Sequence, residues 1–273
     1  MAKGQPKDTP LRALLTVLVT AVICSSIVSA SVVLLRPIQL NNKLLERSRN
    51  IVALTGQLPQ GGASDEVLLE LFKSLDARVV DIDEPRLDTE FDAYTFDARK
   101  AAVDPQLSEA IPPEKDRAAL GRRSRYQTIY LVWKDGALQR VILPIHGAGM
   151  WSMLYGYLAL ESDLNTIAGT VFYEQNETPG LGDQITDRNW QSKWKGKQLF
   201  DHSGELLFHI AEGPVKPGSA AADYQVDALT GATVTSNAVT ALVQYWLGPD
   251  GYGPLLAQLK TEPPVQAAGR AAE

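Results

Sequence analysis

Cysteine is almost absent: the 273 residues contain one, Cys24, inside an apolar N-terminal stretch. A disulfide within the chain is therefore excluded, and cysteine usage says nothing about the redox compartment. A cysteine-ligated iron–sulfur cluster held by this chain alone is excluded as well. Runs of positive charge are also missing. With 26 Lys and Arg against 32 Asp and Glu, the net charge is −6. A nucleic-acid partner needs a concentrated basic face, and none is visible, which argues against one. The histidines, His146, His202 and His209, lack metal-ligand spacing, and no metal site is assigned. No Gly-x-Ser-x-Gly elbow occurs, and no side chain is assigned a catalytic role. Carboxylate runs such as Asp81–Glu84 read as solvated surface.

What is present begins with a membrane-length segment. Ala13 to Leu35 carries no charge over 23 residues. As a helix it would be roughly 34 Å long, enough to cross a hydrocarbon core of about 30 Å. A cleaved signal peptide is the rival, with Lys3, Lys7 and Arg12 as its basic region and Val28-Ser29-Ala30 as its cleavage site. The apolar run continues through Val32, Val33, Leu34 and Leu35, which favours a retained anchor. A lipoprotein site at Cys24 is weakened by the bulky Ile23 before it. Positive charges flank both ends, Lys3, Lys7 and Arg12 before and Arg36, Lys43, Arg47 and Arg49 after, so charge does not set the orientation.

Beyond the span, the pattern predicts an α+β domain with an antiparallel sheet. Ile38 to Ile51 reads as a juxtamembrane continuation of the helix. Leu58 to Gly62 is a break. Ser64 caps a helix carrying Val67, Leu68, Leu71, Phe72 and Leu75, and a strand follows at Val79–Ile82. Residues 83–124 give no clear pattern. Two apolar runs, Ile129–Trp133 and Leu138–Ile145, flank Lys134-Asp135-Gly136 and predict a hairpin. His146–Ser152 reads as a glycine loop, followed by strands at Tyr155–Leu160 and Thr166–Tyr173. A second glycine loop spans Glu177–Asp183. A short helix after Asp187 carries Trp190 and Trp194, and a strand is expected at Leu206–Ile210. A last helix, Ser236–Leu247, is closed by Gly248-Pro249. The tail from Lys260 is expected to be mobile.

The chemistry concentrates at Asp227-Ala228-Leu229-Thr230-Gly231-Ala232-Thr233-Val234-Thr235-Ser236. Small and hydroxylated residues lead directly into an amphipathic helix with Val239, Leu242, Val243 and Trp246 on its core face. Free N–H groups and the positive dipole end at a helix start favour an anion. On these residues alone, a phosphate-sized site and an ordinary Ser/Thr-capped helix are both open.

Asp227 to Thr233 resembles the covalent-flavinylation motif of the FMN-binding domain family. In that family a flavin transferase joins the phosphate of FMN to the last threonine, which is Thr233 here. Two further segments are similar to that family's loops: His146–Gly156, with its Trp-Ser pair, and Glu177-Thr178-Pro179-Gly180-Leu181-Gly182. Leu34-Leu35-Arg36-Pro37-Ile38-Gln39 and Asn41–Asn50 resemble the C-subunit family of Na⁺-translocating NADH:quinone reductases. The resemblance runs from the span to Leu247.

The resemblance implies an electron-transfer subunit with FMN covalently bound on Thr233. It names Trp151, Ser152, Thr178, Gly180, Leu181, Gly182, Leu229, Thr230, Gly231 and Ala232 as the cofactor-binding set. It implies partner subunits of a membrane redox complex, a flavin transferase for maturation, and no complete active site on this chain. The expected organisation is a cytoplasmic N-terminus over 1–12, a transmembrane helix over 13–35, and a juxtamembrane helix with an α/β segment over 36–124. The FMN-binding domain over 125–250 would be periplasmic, at the bacterial inner membrane, and a tail would cover 251–273. The flavin subunit of an Rnf-type ferredoxin:NAD⁺ complex and a non-redox anchored binding module are the alternatives. Trp151 is open as a flavin-packing ring or a core aromatic, and Glu177 as a brace of its loop. A cation for the flavin phosphate is not obvious; the nearby strand offers His209, Glu212 and Lys216.

Overall fold

The computed structural model describes residues 9–58, 62–88 and 90–266. The expected break partly falls outside them, as do Lys3, Lys7 and the end of the tail. Helix α1 runs from Pro10 to Thr55 with Pro37 inside it. It contains a window of mean hydropathy 2.4, long and apolar enough to cross a membrane. Four hydroxyls in that stretch are bonded back to the helix. Thr16, Thr20, Ser26 and Ser31 each donate to the carbonyl four residues back, which lowers the cost of placing them in hydrocarbon.

From Ser48 onward the chain forms a compact unit of its own. Helix α2 (Asp65–Lys73) starts at Ser64, whose side chain accepts from the Val67 N–H as the capping pattern predicts. The strands that follow are β1 (Asp76–Asp81) and β2 (Arg86–Asp88). A one-turn helix α3 (Ala98–Ala101) and the short pair β3 (Ser108–Ala110) and β4 (Arg122–Ser124) come next. The long strands are β5 (Tyr126–Lys134), β6 (Ala137–Ala148), β7 (Met153–Glu161) and β8 (Ile167–Glu174). Helix α4 (Arg188–Ser192) is capped by Asp187. A two-residue pair, β9 (His209–Ile210) with β10 (Gln225–Val226), precedes α5 (Thr233–Leu247) and α6 (Gly253–Thr261).

The main sheet has six antiparallel strands in the order β2-β1-β5-β6-β7-β8. The β5–β6 turn has φ of 52° at Asp135 and 78° at Gly136. Two positive φ values in a two-residue loop make the type I′ geometry that matches strand twist. Alternate residues of the strands feed two separate cores. Ile129, Leu131, Val141, Leu143, Leu158 and Leu160 face α5 and α6. Tyr130, Val132, Ile142, Tyr157 and Ala159 face α2 and the end of α1. Burial on both faces explains why β5 and β6 read as continuous apolar runs rather than alternating ones.

Four expectations are corrected. Asp81 is not on the surface: it is fully buried and pairs with Arg125 at 3.1 Å, while Arg123 and Arg125 both reach Asp83. The glycine loop is shorter than expected, because β6 continues through His146 and Gly147 to Ala148. The strand expected at Leu206–Ile210 is regular only at His209–Ile210. The segment after 251 does not begin as a tail but forms α6, with Leu255, Leu256 and Leu259 buried.

Candidate functional site

Helix α5 crosses β6. Leu242 lies over Gly147, and the indole N–H of Trp246 donates to the His146 carbonyl at 2.6 Å. This crossing brings the start of α5 to the sheet end where β6 turns into β7 and β8 leaves for α4. All three sequence segments singled out above meet there.

Glu177 joins them. Its carboxylate accepts from the N–H groups of Trp151 (3.0 Å) and Met150 (3.2 Å), and from the Thr235 hydroxyl (2.7 Å). Burial alone would raise its pKa. The donors at Trp151, Thr235, Met150 and Ser152 outweigh burial together and hold it below the usual carboxylate value. Across the loops, the Trp151 indole N–H donates to the Thr178 hydroxyl at 3.1 Å. Ser152 Oγ accepts from the Asn176 N–H at 2.8 Å, tying the β6–β7 loop to the strand exit. Gly180 and Gly231 have φ of 77° and 74°, the left-handed region that glycine adopts without strain. A Cβ on Gly231 would meet Leu181 Cδ2 at 3.0 Å, so the second loop packs against the start of α5.

The hydroxyls of the last segment divide into two groups. Thr235 is buried on Glu177, and Ser236 Oγ accepts from the Leu229 N–H at 3.1 Å. Thr230 and Thr233 are exposed. Leu229 and Ala232 are buried and anchor the turn between them. Helix α5 starts at Thr233, with Ala232 at the cap position and no side-chain cap. Its first N–H groups are therefore left for an outside acceptor.

The FMN-binding domain family matches residues 149–248, the stretch that contains Glu177, its donors and the start of α5. The C subunit of the Na(+)-translocating NADH-quinone reductase of Pseudomonas aeruginosa is 44% identical over 93% of this chain and 97% of its own length. The Neisseria meningitidis serogroup A protein of the same name is 40% identical over 96% of this chain and 98% of its own. The chain belongs to the C-subunit family of Na(+)-translocating NADH-quinone reductases. Two solved structures agree with it in fold. The Shewanella oneidensis NqrC crystal structure matches with a TM-score of 0.74 at 37% identity, over 81% of this chain and 99% of that one. The C subunit of the Parabacteroides distasonis reductase matches with a TM-score of 0.61 at 29% identity, over 81% and 96%.

For a member of this family, the residues present fit FMN. The uncapped helix start suits a phosphate. Four exposed apolar side chains, Met150, Trp151, Leu181 and Val234, lie on the three converging segments. Trp151 is 67% exposed, so it is not a core aromatic. Sequence reasoning gave no supporting role to three residues, two of them inside the motif segment it quoted. Asp227, the first residue of the motif, is partly buried. It accepts from Lys193 Nζ and from the Val215 N–H, both at 2.6 Å, while its carbonyl accepts from the Trp190 indole at 2.8 Å. Lys193 first, then the Val215 N–H, hold its carboxyl below the usual value. Thr235 and Lys193 are the other two. The cation candidates divide as well: His209 is engaged with Gln225 Nε2 at 2.8 Å and the Leu207 carbonyl at 2.9 Å, whereas Lys216 is exposed.

Proposed function

We propose that this chain is the FMN-bearing electron relay of a Na⁺-translocating NADH:quinone reductase, with the cofactor phosphate esterified to Thr233 Oγ1. The division among the hydroxyls carries this reading. Thr235 and Ser236 are committed to internal hydrogen bonds, while Thr233 is exposed at the first residue of an uncapped fifteen-residue helix. Thr230 shares the exposure but precedes the helix, where the N–H groups and dipole act less directly.

When bound, FMN supplies reversible one- and two-electron redox chemistry, and the chain supplies placement and electrostatics. The N–H groups opening α5 would hold the phosphate oxygens. Trp151, Met150, Leu181 and Val234 would pack on the ring, with Trp151 oriented by Thr178. Ser152, Gly180, Gly182 and Gly231 would shape the two loops, and Leu229, Thr230 and Ala232 the turn before the helix. Donor and acceptor would be other subunits of the complex, and a flavin transferase would attach the cofactor. The span over 13–35 would anchor the chain in the bacterial inner membrane, with the flavin domain on the periplasmic side.

Peptide mass spectrometry tests this. The protein is co-produced with an active flavin transferase and denatured to strip loose cofactor. The expected result is a Thr233-containing peptide heavier by FMN less one water, absent in Thr233→Ala and retained in Thr230→Ala. An unmodified wild-type peptide would overturn the covalent reading.

A further inference from the structure

Glu177 is 4% exposed, although the loops around it are open to solvent. Everything that reaches its carboxylate is a donor. The Trp151 N–H binds Oε1, and the Met150 N–H and the Thr235 hydroxyl bind Oε2. Two glycines close on the same side chain. A Cβ at Gly149 would lie 2.6 Å from Oε1; one at Gly182 would lie 2.9 Å from Glu177 Cβ and 2.6 Å from Thr235 Oγ1. The backbone on both sides is thus cut to the shape of this one carboxylate.

We propose that Glu177 is the positioning residue of the flavin site, holding the Trp151 loop and the start of α5 at a fixed spacing before the cofactor is attached. This rests on Thr233 being the FMN-bearing residue. Glu177 acts through others: through Met150 and Trp151 on the ring side, and through Thr235 on the side of the attachment threonine, two residues away. The charge state matters because a carboxylate is the side chain that offers acceptors only. In Glu177→Gln one oxygen becomes an NH₂ group. The Thr235 hydroxyl can rotate to accept from it, but a backbone N–H cannot. Whichever way the amide turns, the N–H of Met150 or of Trp151 loses its acceptor.

The test compares the full-length chain with Glu177→Gln, Thr235→Val and Thr235→Ser. Hydrogen exchange is measured first, on detergent-solubilised protein made without flavin transferase. Losing a bond to a charged acceptor should speed exchange at Met150 or at Trp151, whichever N–H the amide leaves unpaired, by about tenfold or more in Glu177→Gln. Thr235→Val should move the same peptide in the same direction by less, and Thr235→Ser should restore it. Peptides from 239–247 should not change. Unaltered exchange at Met150 and Trp151 overturns the proposal. So does uniform acceleration that includes 239–247, because Glu177 would then support the whole fold rather than the loop. If Glu177→Gln does not fold, the Thr235→Val and Thr235→Ser pair decides by the same criterion.

The second measurement repeats the set with flavin transferase present. Glu177→Gln should carry less FMN on Thr233, or FMN with a shifted visible spectrum, while Thr235→Ser matches wild type. Wild-type yield and spectrum in Glu177→Gln overturns the positioning role. Absence of FMN from wild type itself overturns the reading of Thr233 instead.

Discussion

A Cβ on Gly147 would fall 2.6 Å from Leu242 Cβ and 3.1 Å from the Ala118 carbonyl oxygen. Gly147 sits in β6 and not in a turn, so what it supplies is room for α5. Gly147→Ala should push α5 off the sheet and cost about 1–3 kcal/mol, read as a lower thermal midpoint. Gly213→Ala is the control: its Cβ would meet nothing within 4 Å, so the midpoint should hardly move. The neighbouring His146 makes a second case. It stacks on Tyr155 at 5.5 Å and lies 4.7 Å from the Trp246 ring. Burial, and then the charge of Arg99, push its pKa down to about 4. In the unfolded chain an imidazole titrates near 6.5, so between those values the unfolded state binds the extra proton. Stability from this group is therefore complete above about pH 6.5 and falls as pH drops towards about 4, by up to about 3 kcal/mol. His146→Gln should flatten that slope in urea titrations at pH 7.5 and 4.5; equal slopes would refute the assignment. At this scale the segment before α5 was legible only as a choice between a phosphate-sized site and an ordinary capped helix, and its resemblance to the family's motif supplied the expectation for Thr233. Glu177's partners were not legible, since backbone N–H groups leave no mark in a sequence.

Secondary-structure elements were legible where a local rule decides them. Asp135-Gly136 adopts the two positive φ values that the hairpin signal requires, and Ser64 caps α2. Residues 83–124 gave no pattern because their elements are three or four residues long. They are held by distant partners. Arg99, on α3, lies 3.4 Å from the Tyr155 ring centroid and pairs with Glu174 at the end of β8. Arg123 donates to the Tyr245 hydroxyl at 3.0 Å. This stretch thus braces the sheet end from which the site loops emerge. Helix α6 was missed for a different reason. The Gly248-Pro249-Asp250-Gly251 sequence before it reads as a terminus, yet Tyr252 turns the chain back by donating to the Pro144 carbonyl at 2.9 Å. Leu256 is 2% exposed in the core that α5 shares. Leu256→Ala should therefore cost about 2–5 kcal/mol in urea unfolding, as a core truncation does. A mobile tail would predict no change.

For the molecule as a whole, the apolar run of α1 was legible from its length, but where the anchor ends and the folded domain begins was not. The uncharged run ends at Arg36, whereas the structural boundary is set by contacts that only the fold creates. Ile51 and Val52, in the last turns of α1, are fully buried, and Leu54 is nearly so. They pack in the second core with Leu68, Phe72 and Tyr130. Each such side chain contributes about 1.5–3 kcal/mol by its burial. Together they approach the whole stability of an ordinary domain, about 5–15 kcal/mol. The two obvious places to cut the chain should therefore behave very differently. A protein beginning at Ser48 keeps these side chains and should run as a monodisperse species without detergent, with a sharp thermal transition. One beginning at Gly56 removes the same apolar span and eight further residues, and should aggregate or melt without cooperativity. Size-exclusion chromatography and calorimetry of the pair separate the two cases. Equal behaviour would mean that the second face of the sheet does not need the end of α1, and that the boundary belongs further along the chain.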